Sequence, residues 1–201
     1  MVPVHAPGRM LRRAFAAAAA CAALAGCIPG GVTLLRAPDV PFDPTPMDVV
    51  SAMLRLADIK PYDTVFDLGC GDGRIVIAAA RFHGARGVCV EIDRYLVHDG
   101  RKTVHLTSIA DRITFLNQDM FATDLGDATV VMLSLSQEVN LRLRAKLQRE
   151  LRPGARVVSH EHDMGDWAPR EVVRVTSGGR ERAIYLWVIE GYGDNVVAGV
   201  K

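Results

Sequence analysis

The run Asp67-Leu68-Gly69-Cys70-Gly71-Asp72-Gly73 carries the sharpest chemical pattern in the chain. Glycine at alternate positions lets backbone approach a ligand where any Cβ would collide, and it permits the positive φ values of a tight strand-to-helix turn. A dinucleotide-binding turn spaces its glycines G-x-G-x-x-G and aims a helix N-terminus at a pyrophosphate. Here the spacing is G-x-G-x-G, with one carboxylate before the first glycine (Asp67) and another inside the turn (Asp72). Two carboxylates repel a pyrophosphate and suit a ligand with cationic groups.

The elements that must hold this turn are legible from hydrophobic periodicity. Val65-Phe66 ends a buried strand, and a helix begins near Arg74. Upstream, Val49, Val50, Met53, Leu54 and Ala57 form a helical stripe, with Thr45 as its expected N-cap and Pro46 as its first residue. The stiff run Pro41-Phe42-Asp43-Pro44-Thr45-Pro46 is either a lid over the ligand or a plain helix start. Downstream, residues 85–92 read as a second buried parallel strand whose end carries Glu91, placed to accept the hydroxyls of a ribose, with Ile92 beside it. Asp93 is expected to cap the next helix. Residues 113–117 and 128–133 give two more strands, followed by Asp119-Met120 and by the loop Ser134-Leu135-Ser136-Gln137. Ligands of open parallel sheets bind beyond the carboxyl ends of the strands, so that loop should face the reaction. A helix to Leu151 has a basic face (Arg142, Arg144, Lys146, Arg149) expected to be solvated. After a strand at 155–159, His160 and His162 would share a side if the strand persisted, as a metal pair, a general base or loop residues. A hairpin over 171–176 and 183–190 closes the chain.

On these residues, 67–73 resembles the first motif of class I S-adenosylmethionine (SAM)-dependent methyltransferases. Across about residues 41–187 the order of features is similar to one protein-lysine methyltransferase branch, which includes the enzymes acting on ATP synthase subunit c and the adenine nucleotide translocase. The resemblance implies an α/β fold, a Rossmann-like doubly wound sheet of seven strands with an antiparallel C-terminal hairpin. It also implies SAM as methyl donor, contacted by Asp67, Gly69, Cys70, Gly71, Asp72, Gly73, Glu91, Ile92, Asp119 and Met120. Asp119 would bond the adenine amino group, and the Met120 N–H would meet the ring. The implied acceptor is a protein lysine amine; a small-molecule methyltransferase and a non-catalytic SAM-binding lipoprotein are the alternatives. A lysine must arrive neutral, against an ordinary pKa of about 10.4. Thr45, Ser134 and His160 are the expected catalytic residues, with Glu138 and His162 as further candidates. Asp43 stands where relatives usually have an apolar residue.

The 201 residues are 49% hydrophobic with a formal net charge of +1, the balance of one globular domain without a nucleic-acid footprint. The loop after the fourth strand also lacks the Asn/Asp-Pro-Pro-aromatic run of enzymes that methylate base amines. Arg9, Arg12 and Arg13 precede the apolar run 14–24, which is too short to span a bilayer and reads as a signal peptide over 1–26. Leu24-Ala25-Gly26-Cys27 resembles a lipobox, which implies lipidation at Cys27, a tether over 27–40, a domain over 41–201 and a lipid-anchored place in the cell envelope. A start at Met10 or Met47 would instead leave the chain cytoplasmic. Neither Cys70 nor Cys89 suggests a disulfide, no ligand cluster points to a metal, and a monomer is expected.

Overall fold

The computed structural model describes residues 36–191 and Met1; the leader, Cys27 and most of the tether lie outside them. The described segment belongs to one compact unit. Its elements run α1 (Met47–Leu56), β1 (Thr64–Leu68), α2 (Arg74–His83), β2 (Arg86–Glu91), α3 (Arg94–His105), β3 (Ile113–Asn117), β4 (Val130–Leu133), α4 (Gln137–Glu150), β5 (Arg156–His160), β6 (Glu171–Ser177) and β7 (Arg180–Val188).

The strands form one seven-stranded sheet in the order β3-β2-β1-β4-β5-β7-β6. The first five are parallel; β7 runs antiparallel to β5 and to β6. The order reverses between β1 and β4, and such a switch point opens a crevice at the carboxyl ends of the strands. Both faces are covered, which is why β1 and β4 read as continuous apolar runs. Val65, Val130, Met132 and Val158 pack with α1 and α2. Phe66, Leu68, Val131, Leu133 and Val157 pack with Leu143 and Leu147 of α4.

Several local expectations are revised. Thr45 does not cap α1: Pro46 occupies the N-cap with no side-chain bond, because the Thr45 hydroxyl is engaged across the sheet by Ser134. Asp93 does cap α3, accepting from Tyr95 N at 2.8 Å. The basic face of α4 is not merely solvated. Arg142 bonds Asp39 at 2.8 Å, and Arg144 pairs with Asp166 and donates to the Met164 carbonyl, so both tie neighbouring segments down. β5 stops at His160, because Glu161 adopts φ +64°, and His162 does not continue the strand face. Cys70 and Cys89 form a disulfide, with Cα atoms 5.3 Å apart, against the expectation of free thiols. The β1–β2 register sets Asp67 opposite Cys89, which brings the turn's cysteine onto β2.

Candidate functional site

Gly69, Gly71 and Gly73 all have positive φ. A Cβ on Gly71 would lie 2.3 Å from the Phe42 ring, so the proline-rich segment sits on the turn as closely as a bare backbone allows. Gly69 N and Cys70 N donate to the Val90 carbonyl at 2.9 and 3.2 Å, and Gly71 N donates to Glu91 Oε2 at 2.9 Å. The turn is thereby hung from the end of β2. The other Glu91 oxygen accepts from Asp93 N at 2.9 Å, and the carboxylate is fixed by backbone donors with its remaining lone pairs free for a ligand.

Asp67, Gly69, Cys70, Asp72, Glu91, Ile92, Asp119 and Met120 line one cleft with Phe42, Pro44, Thr45 and Ser134. Gly71 and Gly73 complete the turn behind it. The acids are not equivalent. Burial pushes Asp72 up, but hydrogen bonds and charge from Arg74 outweigh it and hold the carboxyl below its ordinary range. Asp67 has no such partner. Burial first, then the charges of Glu91 and Asp72, push it up to about 8, and its Oδ2 is buried with no hydrogen bond. Asp119 is held by Arg36 Nε at 2.9 Å and caps Phe121 N at 2.8 Å. Arg36 and Arg142 both lie over the Phe121 ring, at 5.6 and 4.3 Å. Asp39 joins the two arginines, so residues 36–45 form a strap along the cleft. The stretch 41–45 takes the lid position that was one of its two expected readings, whereas its anchoring through Arg36, Asp39 and Arg142 and the Arg74 pairing were not foreseen. Arg74 is readable only as a base two residues after Asp72, and the strap depends on long-range partners.

A second pocket adjoins the first. Thr45 and Ser134 line both, while His160, Glu161, His162 and Arg182 line the second alone. Thr45 Oγ1 donates to Ser134 Oγ at 2.8 Å, and Ser134 Oγ lies 3.1 Å from His160 Nδ1. Burial lowers the His160 pKa; Glu161 opposes that, and Arg182, His162 and Arg180 reinforce it. The imidazole is therefore neutral at neutral pH, with Nε2 buried, unpartnered and 3.9 Å from Glu161 Oε1. Glu161 itself falls below its usual range: burial raises it, but Arg180, His160 and Arg182 outweigh that. Its place at the pocket was missed in the sequence, where only its position between two histidines stands out. The structure thus brings together the three expected catalytic residues and leaves Glu138 exposed on α4, away from both pockets. Among the described residues no group of three His, Cys, Asp or Glu side chains is placed to hold a metal.

SAM fits this cleft on the structure's own terms. Gly69 brings bare backbone to the cleft wall, and an unpartnered buried carboxyl stands ready for an ammonium or sulfonium charge.

Comparison with known proteins agrees. The ANTKMT methyltransferase domain family matches residues 67–171. A protein-lysine N-methyltransferase of Saccharolobus islandicus is 41% identical over 153 residues, covering 76% of this chain and 95% of that protein. The mouse adenine nucleotide translocase lysine N-methyltransferase is 32% identical over 147 residues, 73% of this chain, which spans only 62% of that longer protein. A crystal structure described as an RNA methyltransferase from Salinibacter ruber, in complex with S-adenosyl-L-homocysteine, is 49% identical with a TM-score of 0.70, covering 74% of this chain and 94% of that one.

Proposed function

The chain belongs to the ANTKMT methyltransferase domain family and is a SAM-dependent methyltransferase, and on that footing we propose that its acceptor is a lysine side-chain amine of another protein. The observation that carries this reading is the hydroxyl pair Thr45–Ser134 at the junction of the two pockets, backed by a neutral histidine.

Bound SAM would supply an electrophilic methyl carbon, which an amine lone pair attacks in line as the methyl–sulfur bond breaks and its electrons stay on the departing thioether. The rest falls to the chain. Asp67 and Glu91 meet the cofactor's cationic and ribose groups, Asp119 and Met120 its adenine, and the glycine turn lets them close around it. On the acceptor side, a lysine ammonium must lose a proton before it can attack. With His160 protonated on Nε2, hydrogen bonds run from Thr45 to Ser134 to Nδ1, so the amine's proton enters at the hydroxyls and the imidazole receives one at Nδ1. Glu161, beside Nε2, favours the imidazolium that results. Arg182 at the second pocket opposes the ammonium form of the incoming amine.

The lysine reading is supported by the lysine methylation for which the Saccharolobus and mouse relatives are named. The Salinibacter protein is described as acting on RNA. Here the acceptor pocket offers histidines and hydroxyls, with no Phe, Tyr or Trp among the described residues that line it. Incubating the full chain with tritiated SAM and a membrane lysate tests this. Label recovered as methylated lysine in a protein band is expected; label in RNA or only in small molecules overturns the reading.

The proposal extends to location. Leu24-Ala25-Gly26-Cys27 supports lipidation at Cys27 and a membrane-anchored enzyme of the cell envelope. Intact mass after expression with its leader would show the diacylglyceryl addition on Cys27, and an unmodified, soluble full-length chain would refute it.

A further inference from the structure

The turn that lines the cofactor cleft is covalently tied to the strand that carries Glu91. Cys70 sits between the first two glycines and faces the cleft; Cys89 lies two residues before Glu91 and is fully buried. The hydrogen bonds from Gly69, Cys70 and Gly71 to Val90 and Glu91 join the same two segments. Those bonds are individually weak, about 1 kcal/mol net each, so the disulfide is the strongest link holding the cradle on β2. Cys89 shares its space with the Phe115 ring and Gly73: a Cβ on Gly73 would lie 2.8 Å from Phe115 and 3.6 Å from the Cys89 sulfur. Reduction replaces one bond with a longer van der Waals contact there. Cys89 is fully buried within its strand's cluster, whereas Cys70 lines the cleft, so the turn is the side that gives way.

We propose that the Cys70–Cys89 pair is a reversible oxidation site coupled to SAM binding: the disulfide form holds the cradle closed on Glu91, and the dithiol form binds SAM more weakly. In the oxidation step both thiols lose their protons, the two sulfurs bond, and the two electrons pass to a small-molecule or protein disulfide, which leaves as two thiols. The reverse consumes a dithiol reductant. Coupling is reciprocal, so SAM must in turn stabilise the disulfide. The inference rests on SAM occupying the cradle.

The test uses the full wild-type chain, oxidised or reduced, with the state of each cysteine read by alkylation and peptide mapping. Titration with SAM is expected to show about tenfold tighter binding by the disulfide form, and saturating SAM should lower the pair's midpoint potential by about 30 mV, the same factor for a two-electron couple. In Cys89→Ala the affinity should no longer respond to reductant. Equal affinity of the two forms, failure of the pair to oxidise in the folded chain, or a redox response that survives Cys89→Ala overturns the inference and leaves the cofactor assignment standing. Absence of SAM binding in both forms overturns the cofactor assignment with it.

Discussion

Asp63 immediately precedes β1 and Asp67 is its penultimate residue; both are buried, 1% and 2% exposed, yet they meet opposite surroundings. At the amino-terminal rim of the sheet, Asp63 accepts from Thr129 Oγ1 and from Lys60 N, each at 2.7 Å, and pairs with Arg156. Arg156 also donates to the Ala57 carbonyl at 2.7 Å, so helix α1 and strands β1, β4 and β5 are pinned through one satisfied cluster. At the carboxyl-terminal rim the balance is reversed. Among the described residues, four buried side-chain polar atoms have no partner: Asp67 Oδ2, Asn140 Oδ1, His160 Nε2 and Arg182 Nε. All four lie at that rim. Stability is built where polar groups are met, and the unmet atoms of Asp67, His160 and Arg182, which line the two pockets, mark where a ligand is expected to meet them.

Breaking the lower rim should therefore cost folding and spare chemistry. Asp63→Ala leaves Arg156 without its partner in a mostly buried site and is expected to destabilise the chain by about 3–5 kcal/mol in denaturant titration. The molecules that remain folded should bind SAM unchanged. Breaking the upper rim should do the converse. His160→Ala is expected to lower kcat by about 10²–10⁴-fold at saturating SAM, with the cofactor affinity of the folded chain close to wild type. Because burial depresses the His160 pKa, the acid limb of the wild-type kcat profile should fall below the ordinary histidine value of about 6.5. An equal loss of SAM affinity in His160→Ala would place the histidine with the cofactor instead of the acceptor. The strap should give the smallest effect. Arg142→Ala removes a half-exposed pair to Asp39 and a contact with Phe121, worth about 0.2–1 kcal/mol, and should weaken SAM binding by no more than a few-fold.

The two rims also differ in how far they could be read from sequence. The glycine turn, the strands and the acids Asp67 and Glu91 were legible because each follows from local rules: alternate glycines, apolar runs, an acid at a strand end. Thr45 was legible as a candidate for the reaction edge but was also expected to cap α1, since Thr before Pro is a strong local signal that its contact with Ser134 overrides. The disulfide was missed although both cysteines were in view. Their pairing is a consequence of strand neighbourhood, since the turn after β1 must lie against β2, and not of spacing along the chain. Asp67 and Asp72 looked alike as carboxylates around glycines. Only the fold shows that one is neutralised by Arg74 and the other is left buried and alone.

That difference gives the most direct measurement: titration of the full chain with SAM at about pH 6.5, in buffers of differing ionisation enthalpy. With its pKa pushed up to about 8, Asp67 in the free chain carries a proton at that pH, and a cation placed against it selects the ionised form. The expected result is release of close to one proton per SAM bound, an affinity that rises with pH up to about 8, and loss of the release in Asp67→Asn. SAM binding with no proton released, or no binding by the folded chain, contradicts the assignment of Asp67 as the group that receives the cofactor's charge.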